Sequence, residues 1–372
     1  MPKIKNLLCY NRFMRKKYKN KSWVFIVFLA TIFSLAFFSL WQVQPGRQTA
    51  QNTARTLSQS CLNQDINKMA CQQDYYKAKY LRSGTGQTFT DLKTEYAENT
   101  SVKTNCHQIT HTIGRMAGEQ YGDVGKAYGD GDTFCWSGYY HGVMEAVLQK
   151  YENDDVLTKL NEICSGIANE KKYSFPHYNC AHGLGHGLML ILGDELFDSL
   201  TACDKLNDNW ERESCYGGVF MENIMAKLNP DHNTKYLKDD DALYPCTVVD
   251  DKYAVQCYQM QTSHALTVLG HDFRKVFELC EQINKKFQAT CQQSIGRDAS
   301  GQSSSDAETT KATCLLGGSS AAQSNCVIGA VKDFVSFYHS DRQASEFCDL
   351  LRQDLKDTCH QTKTEYYSAF PS

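Results

Sequence analysis

Two pairs of histidines are each spaced four residues apart, a spacing that places two side chains on one face of an α-helix. His107 and His111 form the first pair, and His182 and His186 form the second. Neutral imidazole is a good ligand for Zn, Cu and Fe. Each pair can therefore supply two of the ligands that a transition-metal ion needs, although one such pair alone is a common pattern.

A third segment carries His141, with Glu145 four residues later, and a fourth carries Glu222. The sequence thus predicts a site for a transition-metal ion (Zn, Cu or Fe) with five histidine ligands and two candidate catalytic carboxylates. In metal-activated water or oxygen chemistry, Glu145 or Glu222 would carry the proton. This set exceeds the needs of one ion, so two ions are an alternative. The predicted metal ligands are His107, His111, His141, His182 and His186.

The cysteines indicate which elements position these residues. Sixteen of the 17 cysteines form eight successive pairs, and Cys246, Cys280, Cys314 and Cys348 are 34 residues apart each time. A period of this length is typical of stacked pairs of helices. We predict that each pair forms one disulfide that joins the two helices of a unit. The predicted bridges are Cys61 with Cys71, Cys106 with Cys135, Cys164 with Cys180, Cys203 with Cys215, Cys246 with Cys257, Cys280 with Cys291, Cys314 with Cys326, and Cys348 with Cys359.

Glycines recur near the histidines. Gly138, Gly183 and Gly218 each follow a cysteine by three residues, and the segment HGLGHG adds Gly185 and Gly187. A glycine inside a helix costs up to about 1 kcal/mol relative to alanine, so a compensating contact is expected. Either two helices approach closely here, or the segment is not helical and its backbone approaches a bound group.

The competing interpretation is structural. In it, the histidines form a buried hydrogen-bond network with tyrosines and backbone, and the protein is a non-catalytic interaction scaffold. Four further histidines are interpreted as surface or capping residues. The later units carry Arg297 with Asp298 and Lys332 with Asp333 at the matching positions, which predicts solvated ion pairs and assigns the chemistry to the first half of the array. The four surface or capping histidines are His232, His271, His339 and His360.

The N-terminus predicts a membrane anchor. Residues 1–22 carry eight Lys or Arg and no acid, and Trp23–Trp41 is uncharged over 19 residues, long enough to span a bilayer. We predict a cytoplasmic tail (1–22), an uncleaved transmembrane signal anchor (23–41), a linker (42–60) and an exported Cys-rich domain (61–372), a single-pass type II topology. A cleaved signal peptide is the alternative. The basic tail offsets an acidic exported part, so nucleic acid is not an expected partner.

The predicted fold class is therefore all-α, an array of disulfide-linked αα-hairpins that forms an open solenoid or a closed α/α toroid. In the layout of residues 200–372 the chain resembles disulfide-stapled Sel1-type and tetratricopeptide helical-repeat proteins. That resemblance implies ligand or protein-partner binding on a concave face and no catalysis. No P-loop, dinucleotide or Gly-x-Ser-x-Gly fingerprint occurs, and without Cys-x-x-Cys-His covalent c-type haem is excluded.

Overall fold

A computed structural model describes residues 68–151, 153–170, 172–226, 234–303 and 305–369. Within these ranges the chain is all-α, as predicted, and has no β-strand. The sixteen helices of this part are α1 (Lys68–Glu98), α2 (Thr100–Tyr121), α3 (Val124–Gly129), α4 (Gly138–Leu148), α5 (Asn153–Ile163), α6 (Ser165–Glu170), α7 (Phe175–Ile191), α8 (Leu196–Cys203), α9 (Asn209–Met225), α10 (Asp251–Val268), α11 (Phe273–Gln282), α12 (Lys285–Gln302), α13 (Ala307–Cys314), α14 (Ser320–Tyr338), α15 (Arg342–Asp349) and α16 (Gln353–Ala369).

Seven of the eight predicted disulfides are present with the predicted partners. Cys71 is also disulfide-bonded, and its predicted partner Cys61 lies outside the described residues. The seven bridges join Cys106 to Cys135, Cys164 to Cys180, Cys203 to Cys215, Cys246 to Cys257, Cys280 to Cys291, Cys314 to Cys326, and Cys348 to Cys359.

Most of the bridges join their second helix at a point inside it and not at its first residue. From the second of these seven bridges onward, the later cysteine follows the first residue of its helix by five or six positions. Each of these six bridges therefore reaches the second turn of a helix. The six cysteines concerned are Cys180, Cys215, Cys257, Cys291, Cys326 and Cys359.

The helices stack in chain order. Seven helices, which we term the inner helices, each place at least one residue on a central cavity: α4, α7, α9, α10, α12, α14 and α16. Each inner helix packs against the next one along the chain, and α2 packs against the outer side of α4. Shorter helices, such as α11 and α13, complete the units on the other side. One continuous apolar core runs through the whole stack.

The array returns on itself. The indole nitrogen of Trp136, at the start of α4, donates a 3.0 Å hydrogen bond to Asp333 of α14, which is 197 residues away. The ring of Phe337 packs against Trp136 and against Tyr96 of α1, and His339 packs against Phe175 of α7. Of the two predicted arrangements, these contacts match the closed one, because an open solenoid would keep its first and last units apart.

Two further features concern the predicted anchor and the Ser-rich stretch 298–311. Within the described residues no helix is both long and apolar enough to cross a membrane; the predicted anchor at 23–41 lies outside them. Most of the Ser-rich stretch 298–311 is helical, since α12 extends to Gln302 and α13 begins at Ala307. Asp298 and Ser300 of α12 are buried.

Candidate metal centre

Glycines bring the histidine-bearing helices together in pairs. In the first pair, a Cβ on Gly114 of α2 would overlap the carbonyl of Tyr139, and a Cβ on Gly142 of α4 would overlap the carbonyl of His111. The two helices therefore cross at backbone contact distance. This crossing places Glu145 of α4 directly beside the histidine pair of α2, His107 and His111.

The second pair repeats this design. A Cβ on Gly185 of α7 would overlap the carbonyl of Cys215, and a Cβ on Gly218 of α9 would overlap the carbonyl of His182. The segment HGLGHG is helical throughout. The close-approach interpretation of its glycines is therefore confirmed, and the non-helical alternative is wrong. Glu222 of α9 comes to lie beside α7, as Glu145 lies beside α2.

The first histidine pair has a defined tautomer. Nδ1 of His107 lies 2.9 Å from the carbonyl oxygen of Cys135, and since a carbonyl oxygen only accepts, this nitrogen carries a proton. Nδ1 of His111 donates to Oε1 of Glu145 at 2.7 Å. The two remaining ring nitrogens, both Nε2, then face each other at 3.1 Å. In neutral rings both of these nitrogens carry lone pairs, so a proton or a metal ion shared by the two would satisfy the contact.

The second histidine pair has matching partners. Nδ1 of His182 donates to the carbonyl oxygen of Ser214 at 3.2 Å, and Nδ1 of His186 donates to Oε2 of Glu222 at 2.6 Å. Nε2 of His186 is buried and has no hydrogen-bond partner. In both helix pairs, therefore, one ring is oriented by a backbone carbonyl and the other by a carboxylate. Such an oxygen on Nδ1 is the usual partner of a histidine that binds metal through Nε2.

His141 lies between the two pairs. Its ring stacks on His186 with 4.4 Å between centroids and lies 5.0 Å from His182, 5.2 Å from His111 and 5.4 Å from His107. Its Nδ1 is buried and has no hydrogen-bond partner. Leaving such a nitrogen unsatisfied costs about 1–3 kcal/mol, so the position calls for a ligand.

The shifted pKa values of this cluster favour the protonation states that bind a cation. Burial lowers the pKa of His107 to about 3, and burial also holds the pKa values of His141 and His182 well below 6.5. These rings are neutral at pH 7 and can ligate. Burial acts to raise the pKa of Glu145, but His111 and Arg115 together hold it well below its usual range. The Glu145 carboxylate, which also accepts 2.8 Å from Arg115, is ionised.

Three groups of side chains bring ligand atoms within 4.8 Å of one another. His107, His111 and His141 form the first group, and His141, His182 and His186 form the second. Glu145, His186 and Glu222 form the third. All five predicted histidine ligands and both predicted carboxylates thus meet in one place. His141 is common to the two histidine groups and would be shared by two ions or central to one.

The segment before α4 is strained. Cys135, Trp136 and Ser137 have φ values of 58°, 53° and 60°, and each such left-handed residue without glycine costs on the order of 1 kcal/mol. This conformation directs the Cys135 carbonyl to His107 and the Trp136 indole to Asp333. Sequence reasoning missed this segment, because no glycine or asparagine marks its left-handed residues.

The remaining histidines lie apart from this cluster. His177, which sequence reasoning passed over, donates from Nε2 to Glu211 at 2.7 Å and accepts the Tyr173 N–H at Nδ1. Both of its nitrogens are used, so it is a structural residue. His271 is exposed and His339 caps α14, while His360 pairs with Asp349 at 3.2 Å. His232 lies outside the described residues.

Fold and site together define a disulfide-stapled, all-helical protein with a buried histidine centre beside a central cavity. No protein-family model, no curated protein and no solved structure matches the chain. The resemblance to Sel1-type and tetratricopeptide proteins therefore concerns the layout of helices and disulfides alone.

Proposed function

We propose that this protein binds a transition-metal ion through His107, His111, His141, His182 and His186, on the extracytoplasmic side of the membrane to which its N-terminus anchors it. One observation carries the proposal: the Nε2 atoms of His107 and His111 are 3.1 Å apart while the Nδ1 atom of each ring is engaged as a donor.

The spacing of these two atoms fits a shared ion. Metal–nitrogen bonds of about 2.0–2.1 Å put neighbouring ligand nitrogens about 2.9 Å apart in an octahedral site and about 3.4 Å apart in a tetrahedral one. The observed 3.1 Å lies between these values. All-nitrogen donors favour Zn, Cu or Fe over Mg or Ca.

The carboxylates take a supporting role in this proposal. Glu145 and Glu222 hold the Nδ1 side of His111 and His186, and such partners fix the ring and raise its basicity toward a metal. Catalysis by either carboxylate stays a prediction. His141 and His182 border the central cavity, so the ion would be accessible to a second molecule. An accessible coordination position is what distinguishes a catalytic metal site from a closed structural one.

The interaction-scaffold function remains the second candidate, and one observation favours it. A proton on Nε2 of His111 would also satisfy the contact with His107, with His111 then held as an imidazolium between His107 and Glu145. That arrangement leaves the buried Nδ1 of His141 and Nε2 of His186 without partners. Metal ions bound at the two histidine groups would satisfy these nitrogens, and for this reason we favour metal binding. A protein partner on the concave face stays a prediction.

The test is the metal content of the full-length chain, purified in detergent without a histidine tag and measured by mass spectrometry. We expect at least one Zn, Cu or Fe per chain, and loss of that metal in the variant His182→Ala/His186→Ala. His360→Ala is the matched control, because His360 is remote from the centre, and it should retain the metal. A metal-free chain that gains no thermal stability from added Zn, Cu, Fe or Mn contradicts the proposal and supports the scaffold.

The location is tested separately. The full-length chain should stay with the membrane after alkaline extraction, and a protease added outside intact cells should digest the Cys-rich domain. Extraction of the full-length chain in soluble form would contradict the proposed anchor without affecting the metal centre.

A further inference from the structure

The central cavity has a volume of about 380 Å³ and is lined by all seven inner helices. Its wall includes His141 and His182 from the candidate metal centre, and Lys332 and Asp333 from α14. Pockets of about 300–1,000 Å³ are typical of small-molecule sites. The volume thus suits a small molecule rather than a folded protein partner.

Lys332 is a cation without a carboxylate partner. Its Nζ donates to Oε1 of Gln293 at 3.2 Å, and among the described residues no carboxylate lies within ion-pair distance of it. Burial lowers its pKa. The prediction of solvated ion pairing in these units is therefore wrong for Lys332. Its neighbour Arg297 differs, because its guanidinium is held by Asp298 at 2.5 Å.

Asp333 provides a second unused polar atom in the same wall. Its Oδ1 accepts from Trp136, whereas its Oδ2 is buried and has no hydrogen-bond partner. Burial raises the pKa of Asp333 to about 6. Only the protonated form of Asp333 can donate a hydrogen bond from Oδ2 to an anion in the cavity, and that form is favoured at a pH below about 6. Asp333 is only 5 % exposed, so bulk water does not satisfy this atom.

Four aromatic side chains also contribute to the wall. Trp136, Phe175, Tyr178 and Tyr366 contribute rings to it. A second cavity of about 500 Å³ shares Tyr178 and Tyr366 with the first and continues towards Tyr173 and Trp210. These rings favour a ligand with an apolar or aromatic body, and the second cavity adjoins the first at Tyr178 and Tyr366.

From this arrangement we infer that the cavity binds a small organic carboxylate, whose anionic group pairs with Lys332 and whose body packs on the aromatic rings towards His141 and His182. The metal's contact with such a ligand rests on the proposed function, whereas the contact with Lys332 does not.

A carboxylate fits this wall better than a phosphate. Only one cation is available, because the guanidinium of Arg297 already serves Asp298. The single ammonium of Lys332 balances the one charge of a carboxylate but only one of the two charges of a phosphate dianion. When Asp333 is protonated, a carboxylate can in addition accept a hydrogen bond from it.

The experiment is calorimetric titration of the full-length chain in detergent with benzoate, benzamide and inorganic phosphate, with and without added Zn. We expect benzoate to bind at least 10-fold more tightly than benzamide, its neutral analogue of the same shape, and more tightly than phosphate. Lys332→Met should weaken benzoate at least 10-fold, whereas Lys286→Met, which removes an exposed lysine of α12, should leave it unchanged. The melting temperature and metal content of Lys332→Met are measured to confirm that it folds.

Absence of benzoate binding, equal binding of benzamide, tighter binding of phosphate, or unchanged affinity in a folded Lys332→Met chain would each overturn the inference. A measurement of metal content tests the proposed metal-binding function independently of benzoate binding. Benzoate binding through Lys332 to a chain that takes up no metal would retain the anion site and reject the metal centre. A chain that binds metal but not benzoate would retain the metal centre and reject the anion site.

Discussion

The indole of Trp136 and the carboxyl of Asp333 meet across 197 residues at 3.0 Å. Trp136 lies in the left-handed segment that leads into α4, five residues before His141, and Asp333 lies in α14. The bond therefore connects the segment before the helix that carries the central histidine to a helix late in the array.

The first prediction concerns pH. The pKa of Asp333 is raised from 3.8 to about 6 in the folded chain, so folding favours its protonated form. Stability should fall by up to about 3 kcal/mol as the pH rises from about 4 to above 6. Asp333→Asn removes this loss, because its amide oxygen can still accept from Trp136.

Urea unfolding of both proteins at pH 4 and pH 7.5 tests this prediction. The difference in unfolding free energy, variant minus wild type, should be more favourable to the variant at pH 7.5 than at pH 4. An equal difference at the two pH values would show that Asp333 is not the responsible group.

A second prediction concerns the close helix crossing. A Cβ on Gly218 would overlap the carbonyl of His182, so Gly218→Ala should force α7 and α9 apart, cost about 1–3 kcal/mol and weaken zinc binding. Gly166→Ala is the control, since Gly166 is exposed in α6 and has open space around it. That change should be neutral or stabilise by up to about 1 kcal/mol. Thermal unfolding and zinc titration of both variants distinguish crowding at the crossing from a general intolerance of alanine.

A third prediction separates the two kinds of buried histidine. Glu222→Gln weakens the partner of a proposed ligand, His186, and should lower metal affinity about 10- to 100-fold. Glu211→Gln makes the same chemical change beside His177, whose two nitrogens are already used, and should leave metal affinity unchanged. Competition titrations with a chromophoric chelator give both affinities. If the two variants behave alike, the carboxylates act on stability and not on the metal.

A fourth prediction compares two disulfides. Removing Cys280–Cys291 by paired alanine substitution opens a bridge of sequence separation 11 and should cost about 3 kcal/mol in the chain-entropy model, with metal affinity retained. Removing Cys106–Cys135, of separation 29, should cost about 4 kcal/mol and also lower metal affinity. The Cys106–Cys135 bridge holds Cys135, whose carbonyl oxygen accepts from Nδ1 of His107. Urea unfolding and zinc titration supply both quantities, and equal metal affinity in the two variants would contradict this assignment.

Much of the fold could be predicted because its signals are local and periodic. The spacing of Cys280, Cys314 and Cys348 requires only that each unit repeat its neighbour, and neighbouring cysteines then pair because their helices touch. The i, i+4 spacing of His182 and His186 likewise depends on nothing beyond helix geometry. Even the need for close packing at Gly185 follows from the cost of glycine in a helix.

The sequence by itself therefore determined the helical units, their disulfides and the residues that face inward from the first units. Tertiary structure alone decided that α14 closes against α4, that Asp333 and Lys332 are part of a cavity wall and not a solvated surface, and that the Cys135 carbonyl orients His107. These features depend on curvature summed over many helix pairs, in which small differences at each crossing accumulate. The spacing of residues in the sequence indicates which contacts form within a unit and between neighbouring units. It does not indicate the total curvature of the array, which decides which distant units meet.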